Sequence, residues 1–155
     1  MALPYPTIIP GLRGPGEKIK GIVYFGRMVD KIRLAAAATL PEDWHPPLGM
    51  KVKGSFDWRC CHFLQIDYAA LQAEALKGGS DDSLMEWAFA HGRQPSEEEI
   101  TVWNGFMTKR GWRDEGTKRL NERLAEIGLP PGTVLTMFEF IDLDEGRLQP
   151  EKRQN

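Results

Sequence analysis

The chain has only two cysteines among its 155 residues, and these two, Cys60 and Cys61, are adjacent. Adjacent cysteines do not suit ordinary disulfide geometry, so the sequence excludes a disulfide framework. No apolar run approaches the roughly 18 residues that predict a membrane-spanning helix. The first residues also lack the basic and apolar stretches of a signal peptide. We therefore expect a cytoplasmic protein with no membrane partner.

The sequence also lacks an excess of basic residues, since 20 Lys and Arg face 22 Asp and Glu and the net charge is −2. Nucleic-acid binders usually carry a positive excess because phosphate contacts supply most of their affinity, so we expect no nucleic-acid partner. The common phosphate-binding, nucleophile and zinc-protease motifs are missing as well. The sequence motifs therefore indicate neither a particular reaction nor a particular cofactor.

The chain does have the composition of an ordinary globular domain, 41% hydrophobic and 27% charged. Its length fits one domain. We expect a mainly α, compact, bundle-like array of about six helices, because apolar residues recur three and four apart between Gly and Pro breaks. The expected helices cover residues 17–38, 68–77, 81–91, 97–110, 115–127 and 133–143.

Less regular segments separate and flank these helices. Residues 41–58 are expected to form a loop, and residues 59–66 fit either one short strand or a helical turn. The expected organisation is a Pro/Gly-rich, extended lead-in over 1–16, one helical domain over 17–146 and a polar tail over 147–155.

Helix starts are indicated by polar residues that can accept backbone hydrogen bonds. The clearest is the capping box of Ser96 and Glu99. Asp67 and Ser80 are expected to cap the helices over 68–77 and 81–91, and Asp114 the helix over 115–127. Thr133 is expected to begin the last helix.

The first expected helix carries two charges on its apolar face. At about 100° per residue, Asp30 and Arg33 fall within that face. Buried charges cost desolvation energy unless they are paired, so the two residues indicate either a structural ion pair or a functional pocket. The centre of the face is formed by Ile22, Gly26, Val29 and Ala37. Three other polar residues are expected to point elsewhere: Tyr24, Arg27 and Lys31.

The run Arg59-Cys60-Cys61-His62 allows three interpretations. Cysteine and histidine are good zinc or copper ligands, although adjacent ligands are awkward and no second pair completes a tetrahedral set. A thiol beside a cation could act as a nucleophile or redox group. A free cysteine is also among the most buried residues and can act simply as a small apolar side chain. The residues leave all three interpretations open, but because no second pair of ligands is present we assign no residue as a metal ligand.

A third feature, Trp112-Arg113-Asp114, follows Gly111. The simplest interpretation makes Asp114 a helix cap with Arg113 as its ion-pair partner, and Trp112 a wedge between helices. The functional interpretation is an aromatic wall with a guanidinium for an anionic or planar ligand.

Several segments together resemble a bacterial family catalogued as domain of unknown function 5069. The resemblance covers nearly the whole chain, and it implies a bacterial protein of one domain without implying a reaction. The segments that carry it are Pro10-Gly11-Leu12-Arg13, residues 23–34, Leu40-Pro41-Glu42-Asp43, Arg59-Cys60-Cys61, Gly111-Trp112-Arg113-Asp114 and residues 140–147.

These observations lead to one main functional hypothesis, a small-molecule pocket for an anionic ligand, with an enzyme as one form of it. Arg33 or Arg113 would hold the anion, Asp30 would orient that arginine or act as a base, and the thiols would border the pocket. One alternative is a non-catalytic interaction or structural module, and another is a thiol-based metal or redox site. Homo-oligomer formation stays open. The candidate catalytic residues are Asp30, Arg33, Cys60 and Cys61, and the candidate ligand-binding residues are Arg59, Trp112 and Arg113.

Overall fold

A computed structural model describes residues 5–150, and within them the mainly α class is confirmed. Seven α-helices follow a single two-stranded hairpin in this part of the chain. Strands β1 and β2 cover Lys18–Ile19 and Ile22–Val23. The helices are α1 Phe25–Ala36, α2 Phe56–Leu64, α3 Tyr68–Ala75, α4 Asp81–His91, α5 Glu97–Lys109, α6 Thr117–Glu126 and α7 Met137–Asp144.

The start of the first predicted helix is wrong, because residues 18–23 form the antiparallel hairpin instead. Its two turn residues, Lys20 and Gly21, have φ values of 48° and 81°. Two positive φ values are what a tight hairpin turn requires, and they cannot occur in a right-handed helix. The apolar residues Ile19, Ile22 and Val23 suit either structure, so their spacing did not distinguish the two.

Helix α1 lies at the centre of the main hydrophobic core. Phe25, Met28 and Val29 are completely buried in it. The hairpin is fixed to α5 through side chains, because Val23 exchanges hydrogen bonds with two α5 residues: its amide donates to Asn104 and its carbonyl accepts from Trp103. Polar residues on α1 are therefore held among buried neighbours on several sides.

Helix α2 resolves the ambiguous segment at 59–66 and shortens the loop predicted at 41–58. Ser55 caps it, because its hydroxyl accepts a hydrogen bond from the Trp58 amide. This leaves residues 37–55 between α1 and α2, which we call the 37–55 segment. Its only helical piece is a short 3-10 helix, Glu42–Trp44. Leu48 and Gly49 of this segment are buried against the rest of the protein.

The caps predicted for three helices are confirmed. Asp67, Ser80 and Ser96 each accept the expected backbone hydrogen bond, and Glu99 completes the capping box. These caps depend only on residues three apart in the sequence, so the local pattern determines them.

Two predicted helix starts near the C-terminus are wrong. Asp114 does not cap α6; it accepts hydrogen bonds from the Gly111 and Gly116 amides and so organises the turn before that helix. The last helix begins after Thr136 rather than at Thr133, because Thr136 accepts from the Glu139 amide. Helices α6 and α7 enclose a second apolar cluster: Leu120, Leu124, Ile127, Val134, Phe140 and Leu143.

The ends of the described chain pack against each other. Leu12 is 6% exposed, and its carbonyl accepts a hydrogen bond from Arg147. Two segments assigned to the lead-in and the polar tail therefore contact each other. The domain limits at 16 and 146 stay predictions, and residues 1–4 and 151–155 lie outside the described part.

Candidate functional site

The most distinctive polar group in the core joins Tyr24, Lys31 and Asp57. The Tyr24 hydroxyl donates a hydrogen bond of 2.5 Å to the Oδ1 atom of Asp57. The Lys31 amine donates to the same Oδ1 atom at 2.7 Å and to the Tyr24 hydroxyl at 2.9 Å. Each residue thus contacts both of the others, and we call this group the Lys31 site.

Local backbone structure explains how the three side chains meet. Tyr24 precedes α1 with a φ of 77°, a conformation that is rare for a non-glycine residue. Lys31 lies seven positions further, about two helical turns, so both side chains lie on one side of α1. Asp57 is in the first turn of α2, and its other oxygen accepts a hydrogen bond from the Gly49 amide at 2.9 Å. The 37–55 segment is thereby attached to the site.

The electrostatic surroundings change the proton affinity of the site. Burial lowers the pKa of Lys31 more than the Asp57 carboxylate raises it. Burial also raises the pKa of Tyr24, and the nearby Asp57 charge adds to this effect. The two shifts have one physical cause, since a buried environment disfavours the charged form of each group. Lysines with a lowered pKa can act as nucleophiles or bases in enzymes.

Aromatic side chains surround this polar group. The ring of Tyr24 contacts those of Phe56 and Phe138, with ring centroids 5.5 and 6.3 Å apart. Tyr68 lies against Gly49, where an added Cβ would come within 2.5 Å of the tyrosine ring. Its hydroxyl is buried and has no hydrogen-bond partner among the described residues. Burial and the charges of Asp57 and Cys61 raise the pKa of Tyr68.

A second buried ion pair lies beside the Lys31 site. Arg27 donates from both terminal nitrogens to the two carboxylate oxygens of Glu145, at 2.7 and 2.6 Å. Burial lowers the pKa of Arg27, but the hydrogen bond and charge of Glu145, together with Tyr24 and Asp57, outweigh that effect and raise the pKa. The guanidinium also lies 5.9 Å from the Trp44 ring centroid in the 37–55 segment. Arg27 therefore connects this segment to the end of the chain.

Burial of these residues corrects the prediction for α1. Tyr24 and Arg27 are 3% and 5% exposed, and the Lys31 side chain is 12% exposed, so none of them points away from the core. Gly26 and Val29 of the expected apolar face are buried, but the buried surface extends beyond that face, because α1 has neighbours on several sides. The sequence signal that could have found the site was the seven-residue separation of Tyr24 and Lys31. Asp57 gave no signal, because it fell in a predicted loop.

The predicted pair of Asp30 and Arg33 does not form a shared ion pair. Asp30 instead binds Arg13, whose Nε donates to it at 2.8 Å and whose terminal nitrogens also reach Asp81 at the start of α4. Arg33 donates from Nε to the Ala75 carbonyl at the end of α3. One of its terminal nitrogens is buried and has no partner in the described part of the chain.

The two adjacent cysteines point into the core of the protein. Cys60 and Cys61 are 0% and 1% exposed, and the Cys61 sulfur lies 3.9 Å from that of Met28. Burial raises the pKa of Cys60, and it raises the pKa of Cys61 to about 12. Cys60 lies about one helical turn after Asp57 on α2, and the charges of Asp57 and Lys31 also affect its pKa. Within residues 5–150 no three His, Cys, Asp or Glu side chains form a metal-binding group.

The three predicted ligand-binding residues lie in two other places. Arg59 donates to the Gly54 carbonyl and lies 5.1 Å from the Phe106 ring centroid. Trp112 is 41% exposed rather than wedged between helices, and Arg113 lies 5.0 Å from its ring centroid instead of pairing with Asp114. The structure therefore divides the seven predicted residues among separate regions and brings only the thiols close to the Lys31 site.

Two surface clefts occur elsewhere on the protein. One, of about 470 Å³, lies between the hairpin turn, α4 and α5, and the other, of about 330 Å³, lies beside Trp112. Neither cleft is lined by a residue of the Lys31 site. No helix within residues 5–150 is long and apolar enough to cross a membrane.

Comparison with known families assigns the chain to one of them. The sequence model of a family described as "Domain of unknown function (DUF5069)" matches residues 9–147. The chain belongs to the DUF5069 family. The matched range includes all of the Lys31 site, the Arg27–Glu145 pair and every site residue predicted from the sequence. No curated protein matches the chain.

Proposed function

We propose that this DUF5069 protein binds a small molecule at the Lys31 site and is a candidate enzyme. The observation that carries the proposal is the Lys31 amine, which donates to both the Tyr24 hydroxyl and the Asp57 carboxylate beneath the 37–55 segment. An amine, a phenol and a carboxylate in mutual contact can hold and transfer protons.

Two features favour a functional over a purely structural role for this group. The backbone of Tyr24 is held at a φ of 77°, and strained non-glycine residues of this kind cluster at functional sites. Burial also lowers the pKa of Lys31, and perturbed pKa values concentrate in active sites. Both features occur in one hydrogen-bonded group.

The available donors favour a ligand that carries a carbonyl or anionic oxygen. Lys31 supplies an ammonium group, and the buried Tyr68 hydroxyl supplies a donor with no partner in residues 5–150. Arg33, Arg59 and Arg113 stay proposed anion ligands because none of them forms a salt bridge within these residues. Asp30 as a base and Trp112 as an aromatic wall likewise stay proposals with less support, since the Asp30 carboxylate binds Arg13 and Trp112 lies on the surface.

Access to the site depends on the 37–55 segment. The segment spans 19 residues with one short 3-10 helix, and connections of this length often serve as active-site lids. The Lys31 side chain is 12% exposed whereas Asp57 is 1% exposed, so the ligand approaches from the Lys31 side. Movement of the Gly49 backbone away from Asp57 would widen that approach.

A thermal-shift screen tests the proposal with small carboxylates, phosphates, aldehydes and ketones, including glyoxylate and inorganic phosphate. A ligand that binds only the folded protein raises the melting temperature. We expect at least one of these compounds to do so in the wild type and in Lys20→Met, which alters an exposed lysine, and to lose the effect in Lys31→Met. An equal shift in Lys31→Met, or no shift with any compound, would overturn the proposal.

The alternative function is a non-catalytic structural or interaction module. The observation that favours it is that the nearby arginines already have partners within the protein. The Arg27 and Arg13 guanidiniums bind carboxylates from distant parts of the chain. This alternative predicts that replacing Lys31 changes stability alone. The thiol-based metal or redox alternative has less support, because the raised pKa values keep both thiols protonated near neutral pH.

A further inference from the structure

We propose that the Lys31 amine forms an imine with the carbonyl carbon of an aldehyde or ketone. This inference rests on the proposed function and names its ligand class and its chemistry. Its basis is the geometry of the Lys31 site, where one amine contacts a carboxylate and a phenol and belongs to the most exposed of the three side chains.

The first step is removal of a proton from Lys31. The Asp57 Oδ1 atom, 2.7 Å from the amine, takes that proton and leaves an unprotonated nitrogen. The lowered pKa of Lys31 makes this transfer less costly than for an exposed lysine. The Tyr24 hydroxyl, 2.5 Å from the same oxygen, keeps the carboxylate oriented during the transfer.

The next steps conserve atoms and charge. The nitrogen lone pair attacks the carbonyl carbon, a carbon–nitrogen bond forms, and the carbonyl π electrons move to oxygen, which takes one of the two protons left on the attacking nitrogen. The hydroxyl of this carbinolamine leaves as water after receiving the proton held by Asp57. The products are one water molecule and a protonated imine, whose single positive charge replaces that of the ammonium. No oxidant or reductant takes part.

The surroundings suit such an intermediate. Asp57 is 1% exposed and lies beside the cation that the imine would carry, so it can neutralise that charge in the interior. The rings of Tyr24, Phe56 and Phe138 form an apolar wall that limits access of water and hence hydrolysis. The unpartnered Tyr68 hydroxyl is a donor for a second oxygen of the ligand.

Reductive trapping tests the inference. The folded protein is treated with glyoxylate or acetaldehyde and cyanoborohydride at neutral pH, and peptide mapping by mass spectrometry gives the rate at which each lysine is modified. We expect Lys31 to be modified roughly tenfold faster than the exposed Lys51, because a desolvated amine is unprotonated more often. In urea the two rates should become equal.

Three variants make the test specific. Lys31→Arg keeps the charge but cannot form an imine, so the fast adduct should vanish. Asp57→Asn and Tyr24→Phe should slow the trapping at Lys31 and leave that at Lys51 unchanged. Should Asp57→Asn fail to fold, the comparison of Lys31 with Lys51 in the wild type still decides the question.

The outcomes separate this inference from the proposed function. A melting shift with glyoxylate that depends on Lys31, without a fast adduct, overturns the imine and leaves the binding site in place. Modification of Lys31 no faster than that of Lys51, with no Lys31-dependent shift by any compound, overturns both.

Discussion

Arg27 and Glu145 lie 118 residues apart in the sequence and form a bidentate ion pair in the interior, with both side chains at most 5% exposed. The pair joins the central helix α1 to the residue that follows α7. Because Arg27 also lies over Trp44, the same guanidinium contacts the 37–55 segment next to the Lys31 site.

We expect loss of one partner of this pair to be strongly destabilising. Glu145→Gln leaves a buried guanidinium without its counter-charge, and such changes cost about 3–5 kcal/mol. The matched control is Glu86→Gln, which breaks the exposed pair with Lys20 and should cost much less, because solvent screens that pair. Urea denaturation measures both values, and equal losses would contradict the role assigned to burial.

A second prediction concerns Arg13, which binds two carboxylates of different exposure. Asp30 is 11% exposed and also accepts a hydrogen bond from the Arg13 amide, whereas Asp81 is 40% exposed. Asp30→Asn should therefore cost about 1.5–3 kcal/mol, the usual range for hydrogen bonds to a charged group. Asp81→Asn should cost about 1 kcal/mol or less, because solvent screens that pair. Chemical denaturation measures the free energy of unfolding of both variants. A larger loss in Asp81→Asn than in Asp30→Asn would contradict this prediction.

The attachment of the 37–55 segment can be tested at Gly49. An alanine there would combine a φ of +64° with a clash against Tyr68, whereas Gly132 has a φ of +88° and open space around it. Gly49→Ala should therefore lose about 1–3 kcal/mol more stability than Gly132→Ala, the usual cost of overpacking.

The same variant reports on access to the site. If the segment covers Lys31, Gly49→Ala should also speed the trapping of Lys31 by glyoxylate and cyanoborohydride, while Gly132→Ala should not. Unchanged trapping in a destabilised Gly49→Ala protein would mean that the segment does not control access.

The buried thiols predict a loss of stability at alkaline pH. The pKa of Cys61 rises from 9.0 to about 12, so the folded state keeps a proton that the unfolded state releases. This contribution is complete below the unfolded value and disappears as the pH rises through the folded value. The raised pKa values of Cys60, Tyr24 and Tyr68 act in the same direction, while the lowered pKa of Lys31 opposes them.

Urea denaturation from about pH 8 to about pH 11 measures this effect. We expect the free energy of unfolding to fall over this range, and to fall less in Cys61→Ala, whose lost packing does not depend on pH. A variant curve parallel to that of the wild type would show that the Cys61 thiol does not contribute.

The amino-acid sequence by itself determined the class of the fold, the family and most of the helices after residue 67. Caps such as Ser96 with Glu99, and apolar spacings of three and four, depend on neighbours within one or two turns, so they can be read without coordinates. The hairpin at Lys20 and Gly21 was predicted as helix, because short apolar runs suit strands and helices equally.

Only the tertiary structure decided which charges meet. Asp30 was expected beside Arg33, yet it binds Arg13, 17 residues away, and Lys31 binds Asp57, 26 residues away. Helical periodicity describes one helix against one apolar surface, whereas α1 has neighbours on several sides. The partners of its polar residues therefore depend on how distant segments pack, which no local pattern contains.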